Sequence, residues 1–187
     1  MVTLIIVDCQ VDFISGSMAV RGSKEAVQNI ISYIQREKDN IEKVIFTVDW
    51  HPYKHCSFKE NGGQWATHCV NYTTGASIDY NLIKVVEDNN LKYQVLQKGK
   101  DPNREQYGAF ENCETIDELL ICEGTSFNRY EGVIVCGIAG DYCVKETIKN
   151  LYSWDAYPSI LLSGVASIDD GSAINKTIKD LNLNMIQ

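Results

Sequence analysis

A doubly wound α/β fold, with a mostly parallel sheet between helices on both faces in a Rossmann-like three-layer arrangement, is what this sequence predicts. Continuous apolar runs such as VTLIIV at 2–7 and VIV at 133–135 read as strands buried on both faces. They alternate with stretches of helical periodicity, the pattern of parallel strands joined by crossover helices. Several of the runs end directly in ionisable residues, at the carboxyl ends where open α/β sheets collect their functional groups.

The chain of 187 residues suits one domain spanning 1–187, and a domain of this size buries about 70% of the surface its unfolded chain exposes. Lysine and arginine number 17 against 25 acidic residues, a formal charge of -8. That balance argues against nucleic acid or an anionic membrane as partner and leaves a small molecule. The start, MVTLIIVDCQ, has no basic lead-in and its apolar run stops at Asp8, so neither a signal peptide nor a membrane span is expected. Seven cysteines at irregular spacings, with no CxxC, read as reduced thiols of a cytoplasmic protein. GxGxxG, GxxxxGK[ST] and GxSxG are absent, which removes dinucleotide, P-loop and serine-hydrolase readings.

In chain order, the first strand ends at Asp8 in DCQVDF, where the carboxylate is either functional or a turn former. Phe13 and Met18 fall in the following loop. Ser23 is a candidate N-cap for a helix to about Arg36, with Val27, Ile30, Ile31 and Ile34 on one face. A second strand, VIFTV, ends in DWHPYKH. Asp49 and His51 are two apart, so in extended chain they leave the same face, as two ligands of one ion would. His55 and His68 complete the histidines, all between positions 51 and 68, and carboxylate with imidazole suits zinc, iron or manganese. A helix over about 81–88 precedes the strand YQVLQ, which ends at Lys98. A polar loop over 99–113 carries Tyr107 and Phe110, and 116–120 reads as a short helix. SILLSG at 159–164 is a further strand, 171–181 a further helix, and LNLNMIQ an edge strand.

The stretch VIVCGIAGDYCVKET at 133–147 turns from strand to amphipathic helix through Gly137 and Gly140, with Val144, Ile148, Leu151 and Tyr152 at helical spacing. Cys143 falls within the first helical residues, where free N–H groups and the macrodipole favour a thiolate. It is either a nucleophile or a small packed residue.

Taken in order, Asp8 in DCQVDF, Asp49 and His51 in DWHP, the WxxH at 65–68, Lys98 in KG and the GIAGDYC ending at Cys143 resemble the nicotinamidases of the isochorismatase-like cysteine hydrolase superfamily, over essentially the whole chain. The resemblance implies an isochorismatase-like fold and a catalytic triad of Asp8, Lys98 and Cys143. It also implies a divalent metal, zinc first and iron or manganese as alternatives, held by Asp49, His51 and His68. His55 is then either a fourth ligand or a residue orienting one, with the latter preferred. A cis peptide between Ile138 and Ala139, an oxyanion hole from the N–H groups of Ala139 and Cys143, and a pocket lined by Phe13, Trp65, Tyr107 and Ile138, with Phe110 behind, are implied as well. The expected activity is hydrolysis of nicotinamide to nicotinate and ammonia through an acyl thioester, in the cytoplasm, with room for a homo-oligomer. Cys9 departs from the family's usual DVQ or DMQ and sets a second thiol beside the aspartate, which is expected to sensitise the site to oxidation. The alternatives are a related hydrolase of another small amide, such as pyrazinamide or an N-carbamoyl compound, and an inactive metal-binding protein on the same fold. The histidines argue against the first and the intact triad against the second.

Overall fold

A computed structural model describes residues 1–187. The elements run β1 (Val2–Val7), α1 (Val11–Ile14), α2 (Ser23–Glu37), β2 (Ile41–Asp49), α3 (Tyr80–Asp88) and β3 (Lys92–Lys98). They continue with β4 (Glu114–Ile116), β5 (Leu119–Cys122), β6 (Thr125–Asn128), β7 (Gly132–Ile138), α4 (Lys145–Ser153), β8 (Ser159–Ala166), α5 (Ser172–Asp180) and β9 (Met185–Ile186). Six strands form one sheet in the order β3-β2-β1-β7-β8-β9, with every pairing parallel. This is the predicted doubly wound fold.

Alternation along β1 shows how the layers form. Leu4 and Ile6 point to the side covered by α2 and α3, where they meet Ile30, Ile34, Leu82 and Val86. Ile5 and Val7 point to the other side, with Ile148 and Leu151 of α4 and Ile174 and Ile178 of α5. All four β1 side chains are fully buried, so the apolar run serves both cores at once. The strand order reverses between β1 and β7, and the crevice beyond their carboxyl ends is where such sheets bind ligands. No helix is long and apolar enough to cross a membrane.

Four expectations are corrected. Residues 116–120 are not helical: β4, β5 and β6 form a small antiparallel sheet in which Ile116 pairs with Leu119 across a two-residue turn. Asp117 takes a left-handed φ of 53° there, a conformation a non-glycine residue rarely announces in sequence. The same hairpin puts Cys113 opposite Cys122, one pair beyond Glu114 and Ile121. Their Cα atoms are 4.5 Å apart, a separation typical of a non-hydrogen-bonded cross-strand pair, and the two form a disulfide. Hence not all seven thiols are reduced; the other five are free. Gly22, with φ 81°, and not Ser23, occupies the N-cap of α2. Ser23 is the first helical residue and its hydroxyl turns to the carbonyl of Ile14. Finally, Phe13 belongs to the single turn α1 and not to a loop.

Candidate active site and metal centre

Three strand ends deliver the triad to one place. Asp8 follows β1, Lys98 closes β3 and Cys143 lies in a π-helical turn over Gly140–Val144 between β7 and α4. Lys98 is 1% exposed, Asp8 0% and Cys143 6%. The Nζ of Lys98 lies 2.8 Å from Asp8 Oδ2, 2.5 Å from Asp49 Oδ1 and 3.6 Å from Cys143 Sγ. Asp8 Oδ1 accepts a hydrogen bond from the Thr47 hydroxyl at 2.7 Å. Its Oδ2 faces the ammonium, and as a two-lone-pair acceptor it retains capacity for a further proton.

Burial pushes the Cys143 thiol well above the usual cysteine range, and Lys98 only partly opposes it. Burial and Lys98 thus act in opposite directions on the thiol that the sequence places at a helix start. Burial also raises Asp8, against the pull of Lys98. For Lys98 burial works against the charge, but Asp49, Asp8 and Cys143 outweigh it and hold the group well above its usual value. One ammonium between two carboxylates leaves a single excess negative charge. A thiolate whose proton left the site would add a second in these dry surroundings, whereas a proton passed to Asp8 would leave the net charge unchanged.

Beside the triad, Asp49 Oδ2 lies 3.5 Å from His51 Nε2 and 3.8 Å from His68 Nε2. His51 Nδ1 faces the carbonyl of Gly99 at 2.9 Å and His68 Nδ1 that of Ala66 at 2.7 Å. A carbonyl only accepts, so both Nδ1 atoms carry a proton and it is the Nε2 atoms that are turned to the carboxylate. With Nε2 free of its proton, two imidazoles so oriented and one carboxylate make a donor set fitted to zinc, iron or manganese. Burial would raise the Asp49 carboxyl, yet Lys98 and His51 hold it far below the carboxylate range. Gly99 explains the KG pair: its φ is 66°, and a Cβ there would come within 2.5 Å of the His51 ring.

His55 is turned elsewhere. Its Nδ1 meets Ser57 Oγ at 2.7 Å and its Nε2 the carbonyl of Arg104 at 3.1 Å, while its ring stacks on His51 at 4.1 Å. Both nitrogens are thus engaged and the ring backs a candidate ligand.

Around this centre Phe13 packs on His68 with ring centroids 5.3 Å apart. Trp65 Nε1 donates to the Tyr107 hydroxyl at 3.0 Å, and both rings contact Tyr142, at 5.0 and 5.5 Å. Ile138 is fully buried and is joined to Ala139 by a cis peptide. Phe110 packs edge-on against Phe127 of the small sheet. The expectation for Cys9 is corrected: it lies in the core on the α2 side, away from the Cys143 core, and burial raises its thiol well above the usual range.

Sequence reasoning does not find Gln10, whose amide grips the backbone of Asp49 at both ends: Oε1 accepts its N–H and Nε2 donates to its carbonyl, each at 2.8 Å. Nor does it find Thr47, Tyr142 or Glu105, the last a half-buried carboxyl raised by burial and by the charge of Asp49. Only Tyr142 carries a signal, its position next to the cysteine.

An isochorismatase domain profile matches residues 2–182. A nicotinamidase of Saccharomyces cerevisiae is 29% identical, over 100% of this chain and 99% of its own. A nicotinamidase/pyrazinamidase of Mycobacterium tuberculosis is 34% identical over 79% of this chain and 76% of its own. Among solved structures, a pyrazinamidase of Pyrococcus horikoshii in complex with zinc superposes with a TM-score of 0.78 at 25% identity, covering 100% of this chain and 98% of that one.

Proposed function

Since the chain belongs to the isochorismatase family, we propose that it hydrolyses nicotinamide to nicotinate and ammonia, as a cytoplasmic enzyme of the NAD salvage route. The observation that carries the reading is Lys98 Nζ within reach of Asp8, Asp49 and Cys143 at once, which ties a buried nucleophile and base to the candidate metal centre.

Cys143 Sγ attacks the carboxamide carbon as Asp8 takes the thiol proton. The carbonyl oxygen gains the charge and is held by the N–H groups of Ala139 and Cys143; loss of one such donor typically costs about 2.7–4 kcal/mol of barrier. The C–N bond breaks as Asp8 returns the proton to the amine, and ammonia leaves an acyl thioester. Asp8, a carboxylate again, takes a proton from water as that water attacks the thioester. Collapse releases nicotinate and restores the thiol. Lys98 keeps its charge throughout, as the counter-charge of Asp8, Asp49 and the sulfur.

Asp49, His51 and His68 would hold a divalent ion, zinc being our assignment, and the ion when bound supplies a Lewis acid for the ring nitrogen of the substrate. Phe13, Trp65, Tyr107 and Ile138 enclose the ring and exclude water from it. Ammonia release from nicotinamide by the purified chain, before and after metal removal by a chelator, tests the reading. Release that falls on chelation and returns with zinc supports it. No release under either condition, from folded protein, contradicts it.

A further inference from the structure

We infer that Asp12 is a positioning residue for the metal centre: through the backbone amide of Cys69 it fixes His68 in the orientation in which its Nε2 faces Asp49. The inference rests on the reading of Asp49, His51 and His68 as metal ligands.

Asp12 lies on α1, in the DCQVDF segment that also supplies Asp8 and Gln10. Its Oδ2 accepts the N–H of Cys69 at 2.8 Å, and its Oδ1 accepts the N–H of Ser17 at 3.1 Å. Cys69 directly follows His68 and takes a φ of 45°, a left-handed conformation that a residue with a Cβ rarely adopts. Such strain persists only where surrounding contacts over-determine it. A charge-assisted bond to the strained residue's own amide is a contact of that kind. Space for the carboxylate is reserved, since a Cβ on Gly75 would come within 2.1 Å of Oδ2. On its other side His68 is held by its Nδ1 bond to Ala66, and its ring rests on Phe13, the neighbour of Asp12. The imidazole is therefore fixed before and after its own residue, and Asp12 supplies the second fixing point.

Asparagine at position 12 keeps the size but has one acceptor oxygen for two N–H groups, so either Ser17 or Cys69 loses its bond. Zinc affinity, read by competition with a chromophoric chelator, is expected to weaken about 10- to 100-fold in Asp12→Asn, the usual range for outer partners of metal ligands. In the metal-free protein the ring nitrogen resonances of His68 should shift in Asp12→Asn while those of His51 and His55 hold. Unchanged affinity, or equal shifts of all three histidines, would overturn the inference. A wild-type chain that binds no zinc strikes the metal reading itself, a separate result. Should Asp12→Asn fail to fold, amide exchange in the metal-free wild type decides: the Cys69 N–H should be strongly protected, and rapid exchange contradicts its bond to Asp12.

Discussion

Lys98 Nζ lies 3.6 Å from Cys143 Sγ, near enough to favour a thiolate, yet two carboxylates occupy the same ammonium more closely. The lysine is thus the counter-charge of Asp8 and Asp49 first and of the sulfur second. Replacing it with Met should leave two buried carboxylates unpaired. Loss of one partner of a buried ion pair typically costs about 3–5 kcal/mol. Lys98→Met is expected to lose stability of that order in denaturant titration and to release no ammonia. Near wild-type stability would show that the carboxylates do not depend on it.

The acid limb of kcat/KM reports Asp8. It must be ionised to accept the thiol proton, and burial raises its pKa. Activity should therefore rise with pH through a midpoint above the ordinary aspartate value of about 3.9. The Thr47 hydroxyl bonds the carboxylate and lowers the pKa. Thr47→Val should move the acid limb further up, and a shift downward would remove Asp8 as the group observed.

Metal content separates the histidines. His51→Ala and His68→Ala should lose the ion on elemental analysis, whereas His55→Ala, whose wild-type ring is bonded to Ser57 and Arg104, should retain it with about 10- to 100-fold weaker affinity. Equal loss in all three would make His55 a ligand.

Tyr107→Phe removes the acceptor shared by Trp65 Nε1 and Gln64 Nε2. A lost hydrogen bond of this kind is worth about 0.5–1.5 kcal/mol. KM for nicotinamide should rise about 2- to 10-fold with kcat little changed, and a selective fall in kcat would instead put the hydroxyl in the chemical step.

Residues that end strands are legible in the sequence itself: Asp8 and Asp49 follow apolar runs, Lys98 follows the strand pattern YQVLQ, and parallel topology brings such ends together. Contacts between distant segments with no local pattern are not legible there. Gln10 grips Asp49 from 39 positions away, and Asp12 reaches Cys69 over 57. The β4–β5 hairpin is hidden for a local reason, since Asp117 turns left-handed without the glycine that would announce it. The Cys113–Cys122 bond is hidden with it. The burial of Cys143 escapes sequence reasoning, because a helix start is visible in sequence and its depth in the fold is not.

Covalent catalysis by Cys143 is the central claim, and the most direct measurement is the intact mass of the chain acid-quenched during turnover of nicotinamide. The wild type should carry a transient adduct of one nicotinoyl group that maps to the Cys143 peptide and disappears as substrate is exhausted. Cys143→Ala, folded as judged by circular dichroism, should show neither adduct nor ammonia release. Ammonia release by Cys143→Ala at more than a few per cent of the wild-type rate would contradict the account.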